Sequence, residues 1–221
     1  MHECNDFYVE MLRIGIDDAR QKMHRKKEKI GILTYTGWIG TGKTSAVLDY
    51  CKKYSNCLYF SFENIEHSLA LKLFPKKYPQ IFSDPTDWAM FFEQLYAWCQ
   101  RRNCTVFFDS FVIKKDSDFH TQLVDKFYND HHRTVFVYIE DEHGQRMFTP
   151  LHIAEIKKIY PKLTDEEVVL VKAITGGISS LVALYNPKLN FETNLKRFLQ
   201  PSSYFRLLAE RIIKEYYRAP E

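Results

Sequence analysis

Apolar residues along this chain of 221 residues fall into two regimes. Between residues 29 and 150, short apolar runs alternate with longer mixed segments. The runs at 30–35, 56–62, 105–108 and 133–139 are rich in β-branched and aromatic side chains and read as strands. Residues 44–54 and 118–129 read as helices. Another helix follows Asp84-Pro85-Thr86-Asp87, because Trp88, Phe91, Phe92, Leu95, Tyr96 and Cys99 recur at helical spacing. Asp84 or Thr86 is its expected cap. Short strands separated by helices predict β-α-β units and a mainly parallel sheet buried on both faces.

Beyond residue 150 the strand pattern stops. Residues 151–160 read as a helix. Thr164 and Glu167 form a capping box, and the helix they open is stopped by Gly176-Gly177. Two more helical stretches are expected at 179–185 and 204–217. The expected organisation is a helical lead-in over 1–28, an α/β domain over 29–150 and a small all-helical domain over 151–221. No internal repeat or low-complexity tract is present.

Between the first strand and the first helix of the α/β domain stands Gly37-Trp38-Ile39-Gly40-Thr41-Gly42-Lys43-Thr44, followed by Ser45. It matches G-x-x-x-x-G-K-S/T at every required position. A loop that wraps phosphate must turn successive backbone N–H groups inward, which needs torsions that glycine tolerates. The following helix aims the positive end of its dipole at the anion. Lys43 is placed to reach the outer phosphates, and the Thr44 hydroxyl to hold Mg²⁺. Strand before and helix after supply the context this motif requires, so an α/β P-loop NTPase fold is expected.

Composition narrows the rest. At 45% hydrophobic residues the chain is globular rather than disordered. A net charge of +3 does not by itself argue for nucleic acid. Arg20, Lys22, Arg25, Lys26, Lys27 and Lys29 are read first as a solvated helix face, and second as a contact for phosphate backbones, which keeps DNA among the partners considered. Cys4, Cys51, Cys57, Cys99 and Cys104 lack zinc-knuckle spacing and are expected to be reduced. His120, His131, His132 and His143 have no metal spacing and are read as surface residues. With no signal-peptide pattern and no apolar stretch near the ~20 residues of a membrane span, a cytoplasmic protein is expected.

A phosphate loop of this kind needs an acidic residue at the end of a neighbouring strand to orient the metal and its waters. Asp109 follows Val106-Phe107-Phe108, and Asp141 stands in Glu140-Asp141-Glu142-His143-Gly144. Spacing alone leaves both open. Asp141 to Gly144 also mimics a GTPase D-x-x-G, but no guanine-reading Asn-Lys-x-Asp follows.

Several stretches together resemble the AAA+ ATPases of the STAND-related group described as "predominantly from archaea". They are residues 37–44, Leu58-Tyr59-Phe60, Asp87-Trp88, Val106-Phe107-Phe108-Asp109, Ile174-Thr175-Gly176-Gly177-Ile178, Glu210-Arg211 and Arg218-Ala219-Pro220. The resemblance runs from about residue 30 to the end. It implies that ATP is the nucleotide, that Asp109 is the Walker B aspartate holding Mg²⁺ with Thr44, and that the helical domain is a lid closing near Gly176-Gly177. It makes Lys43 and Asp109 the catalytic residues.

The chain departs from that pattern in places. The position after the Walker B aspartate, usually Glu, is Ser110. Trp38 and Ile39 stand where arginines are usual, and Ser179 where proline is usual. Glu63, Glu140 and Asp141 are the other carboxylates near strand ends, and Arg197, Arg206 and Arg211 the arginine-finger candidates, none singled out. Relatives usually continue into a C-terminal domain, so the effector part is expected on a partner protein, or this is a truncated gene product. Two readings follow: an ATPase with a weakened base whose hydrolysis moves the lid, or a hydrolysis-deficient ATP-binding switch acting through a protein or DNA partner.

Overall fold

The computed structural model describes residues 3–25, 30–100, 102–111, 117–128, 134–140 and 147–216. Their elements run α1 (Glu3–His24), β1 (Gly31–Gly37), α2 (Lys43–Lys53), β2 (Cys57–Ser61), α3 (His67–Lys77), α4 (Trp88–Cys99), β3 (Thr105–Asp109) and α5 (Ser117–Phe127). They continue with β4 (Val135–Glu140), β5 (Met147–Phe148), α6 (Ile153–Ile159), α7 (Asp165–Thr175), α8 (Ser179–Val182), α9 (Phe191–Leu199) and α10 (Tyr204–Tyr216). The chain divides into two compact units, one of residues 9–36 and 47–146, the other of 1–8, 37–46 and 147–221. Among the described residues no helix is long and apolar enough to cross a membrane.

In the first unit four strands of the sheet stand in the order β2-β3-β4-β1, all pairs parallel. Their register is unbroken: Phe60 opposes Phe108, Phe108 opposes Tyr138, and Tyr138 opposes Thr34. Parallel strands need covered faces because their crossover helices lie on both sides. One face carries Leu58, Phe60, Val106, Phe108, Phe136 and Tyr138 into a core with α3, α4 and α5. Phe108 stacks on Phe60 at 5.8 Å and on Phe136 at 6.3 Å, with Phe111 and Phe119 beyond. On the other face α1 is pinned by Arg20, which donates to Thr105 Oγ1 at 2.8 Å, and by the Tyr35 hydroxyl, which donates to the Met11 carbonyl. Arg20 is thus committed to the sheet rather than to a solvated basic face, and Lys22 pairs with Asp18. Lys26, Lys27 and Lys29 lie outside the described residues.

Local capping explains most boundaries. Asp87, rather than Asp84 or Thr86, caps α4: its carboxylate accepts from the Met90 N–H at 2.8 Å. Asp84 instead takes a left-handed backbone, φ +39°, in the turn before. Phe91, Phe92, Leu95 and Cys99 are the buried face of α4, as the spacing predicts. In the second unit the expected capping box is present, with Thr164 Oγ1 accepting from Glu167 N–H and Glu167 Oε2 from Thr164 N–H. Gly176, φ +62°, caps the end of α7 in the left-handed region.

Two helices were not expected from the apolar pattern. α3 carries Pro75 in its last turn, a residue disfavoured inside helices. α9 opens at Asn190, whose side chain accepts from the Thr193 N–H, and it buries Asn194 and Phe198 rather than a run of aliphatics. Asn194 is satisfied by the carbonyls of Asn186, Leu189 and Asn190. The short β5 was also missed. Cys51, Cys57, Cys99 and Cys104 are free thiols, and no three potential metal ligands cluster among the described residues. His120 is half-buried rather than on the surface, with Nδ1 3.2 Å from the Tyr138 hydroxyl, and burial pushes its pKa down. His131, His132 and His143 lie outside the described residues.

Tyr50 of α2 is buried against Phe107, and that burial pushes its phenol up to about 12. The unfolded chain ionises near ~10, so the protonated folded form is favoured and its contribution is intact below that pH and lost between about pH 10 and 12. Urea unfolding should therefore show a steep loss of stability across this window, and Tyr50→Phe should remove about 2 kcal/mol of the loss. Parallel pH profiles for wild type and variant would contradict the assignment.

Candidate functional site

The second unit contains the loop that leaves β1. Gly37 is its first residue, and a Cβ there would lie 2.7 Å from Cβ and the carbonyl oxygen of Phe148 in β5. Gly40 and Gly42 have φ of +82° and +88°, in the region where L side chains are strained. Thr41 is buried and folds back, its hydroxyl donating to the Trp38 carbonyl at 2.7 Å and its N–H to the same oxygen at 3.2 Å. Lys43 opens α2 and is only 7% exposed. Its ammonium donates to the carbonyls of Gly37 at 2.6 Å and Trp38 at 2.9 Å. A buried ammonium must be paired, and here the loop's own main chain supplies acceptors. Thr44 and Ser45 stand exposed on the first turn of α2, which carries no acidic residue.

The same unit ties this loop to the helices after β5. The Gly40 carbonyl accepts from the Ser180 N–H at 3.0 Å and from the Ser179 hydroxyl at 3.1 Å. Trp38 and Ile39 pack against a cluster of Ile178, Leu181, Leu208 and Ile212. The residues standing where arginines are usual are thus apolar anchors for α8 and α10. Behind them, Leu151 N–H donates to the Gly177 carbonyl at 2.7 Å, and Lys172 donates to the carbonyls of Leu151 and Gly176. The glycine pair is therefore more than a helix stop: it is stitched to the segment entering α6. Of the arginine candidates, Arg206 pairs with Glu210 at 2.8 Å and Arg197 and Arg211 are exposed.

In the first unit, parallel pairing brings the carboxyl ends of the strands to one edge. Thr36 opposes Glu140, Ile139 opposes Asp109, and Asp109 opposes Ser61. Asp109 is 3% exposed. Its main chain is held on both sides, its carbonyl accepting from Phe62 N–H while the next residue, Ser110, donates to Ile139. Its Oδ2 accepts from the Tyr59 hydroxyl at 2.8 Å. Burial pushes the Tyr59 pKa well up, and the carboxylate beside it adds to the rise. Ser110 has φ +59°, so the residue after the aspartate leaves the strand in a left-handed turn. Glu140 is half-buried at the end of β4, whereas Glu63 is exposed and lies beyond the end of β2. Asp141, Glu142, Gly144 and residues 218–220 lie outside the described residues.

The donor sets fit the groups the motif implies. Two left-handed glycines, an ammonium and a helix start suit an anion. A hydroxyl at Thr44 and a carboxylate at Asp109 are the hard oxygen donors that Mg²⁺ takes. The contacts of Ser179 with Gly40 and of Tyr59 with Asp109 are marked by no local pattern, because the partners are far apart in sequence.

No family model matches the chain, and no curated protein does. Solved structures do match. The Walker-type ATPase of Pyrococcus abyssi is 11% identical, with a TM-score of 0.58 over 91% of this chain and 76% of that one. The STAND protein with a tetratricopeptide repeat sensor from Pyrococcus horikoshii is 14% identical, with a TM-score of 0.46 over 87% of this chain and 31% of that one. The fold is the α/β fold of the P-loop ATPases.

A Cβ on Gly40 would come within 2.6 Å of Ser180 Oγ and 3.1 Å of Ile178 Cγ2, at a φ that already disfavours it. Gly40→Ala should therefore lower stability by about 1–3 kcal/mol. Thermal or urea unfolding measures it, and an unchanged midpoint would show that the contact between the loop and α8 is not tight.

Proposed function

We propose that the chain binds ATP with Mg²⁺ through residues 37–45 and is an AAA+-like ATPase whose hydrolysis is slow. The observation that carries this is the buried Lys43 ammonium resting on loop carbonyls at the start of α2, beside left-handed Gly40 and Gly42. In this reading the backbone N–H groups of residues 37–45 cradle the phosphates, and Lys43 exchanges carbonyls for phosphate oxygens. Thr44 and Asp109 hold the metal, which neutralises charge on the β- and γ-phosphates. Residues 151–221 serve as the lid. The Gly40 carbonyl, bonded to Ser179 and Ser180, is the route by which loop occupancy is felt in α8.

A second reading, a hydrolysis-deficient ATP-binding switch read by a protein or DNA partner, is favoured by one observation. Ser110 occupies the position after the aspartate, and a serine hydroxyl orients water but is a poor base at neutral pH. General-base assistance is worth roughly 10²–10⁴-fold, and the two readings differ in how much rate remains without it.

Lys43→Ala should weaken ATP binding at least about tenfold, since it removes a charge-assisted contact to phosphate. Calorimetry reads this, and retained affinity would reject the phosphate assignment. Single-turnover hydrolysis should be slow in the wild type and about tenfold or more faster in Ser110→Glu. A substantial wild-type rate that the substitution leaves unchanged would reject both the weakened-base account and the switch.

A further inference from the structure

We propose that Tyr59 is a positioning residue for the metal-binding carboxylate, fixing the rotation of Asp109 so that it presents one face to magnesium. The inference rests on the nucleotide reading above and adds a residue to it. Tyr59 and Asp109 lie on the same face of adjacent parallel strands, but not opposite one another: Tyr59 opposes Phe107, and Asp109 opposes Ser61. A two-residue offset across strands about 4.8 Å apart, rising about 3.3 Å per residue, makes a diagonal of roughly 8 Å. A serine cannot cross that span, and a tyrosine can. The phenol does so, donating to Asp109 Oδ2 at 2.8 Å.

The tyrosine is itself held at its base. Tyr59 N–H hydrogen-bonds the Tyr78 hydroxyl at 3.0 Å, and the Tyr59 carbonyl accepts from Lys77 Nζ at 2.9 Å. The Lys77 ammonium also sits 4.7 Å from the centre of the Tyr59 ring. Asp109, 3% exposed, is held in its main chain by β2 and β4. To that main-chain anchoring the phenol adds a restraint on the side chain. A carboxylate has about four lone-pair sites on two oxygens, so a hydrogen donated by the phenol can orient it alongside a metal or a metal-bound water. Partners that orient metal ligands in this way contribute roughly 10–100-fold to metal affinity.

The test is a magnesium titration of the full chain with a fluorescent ATP analogue. In Tyr59→Phe the Mg²⁺ concentration for half-maximal binding should rise about tenfold, while binding measured in EDTA stays as in the wild type. Tyr59→Leu, which also removes the ring under Lys77, should show the same magnesium shift with a lower unfolding midpoint. That tells the hydroxyl's role from packing and serves if one variant folds poorly. In an Asp109→Asn background Tyr59→Phe should add no further shift. An unchanged magnesium midpoint in Tyr59→Phe, or an equal loss with and without metal, overturns the role of Tyr59 while leaving the nucleotide site standing. A wild type that binds no nucleotide at any magnesium concentration overturns both.

Discussion

Parallel pairing is the constraint on which the rest depends. Because β1 to β4 all run the same way in unbroken register, their carboxyl ends share one edge. That edge gathers Thr36, Glu140, Asp109 and Ser61 from segments far apart in sequence, and the glycine loop begins at the residue after Thr36. Parallel sheets require both faces to be covered. The aromatic packing around Phe108 on one face, and the pinning of α1 by Arg20 at the start of β3 on the other, help to meet that requirement. Crevices at the carboxyl ends of open α/β sheets are the general location of ligand sites for this reason.

The loop itself is held in a self-satisfied state. Lys43 and Thr41 both spend their donors on the Trp38 carbonyl, and the Gly40 carbonyl takes two donors from Ser179 and Ser180. Under the proposed function, each of these bonds is a candidate for exchange with phosphate. The apolar seating of Trp38 and Ile39 on the α8 and α10 cluster joins the loop to those helices by packing as well as by hydrogen bonds.

At the sheet edge the chain invests in orientation rather than in proton transfer. Asp109 has a phenol on its carboxylate and main-chain partners on both flanks, while the next position carries a serine in a left-handed turn. The two proposed functions, a binding switch and a slow ATPase, share these residues and differ in the fate of one water.

What the sequence alone determined is what local chemistry carries. The glycine spacing of residues 37–44, the Thr164–Glu167 box, the Gly176 stop and the apolar runs of β1 to β4 each depend on neighbours within a few residues, so their periods and types could be read directly. α3 and α9 escaped because a proline and a buried, fully hydrogen-bonded asparagine stand where an apolar stripe was sought. Only the tertiary structure decided that Asp109 meets Tyr59, 50 positions earlier, and that Gly40 meets Ser179, 139 positions later. Those contacts depend on strand register and on how helices seat against a loop, and register is set by the sum of many burials across the sheet rather than by any one stretch of residues.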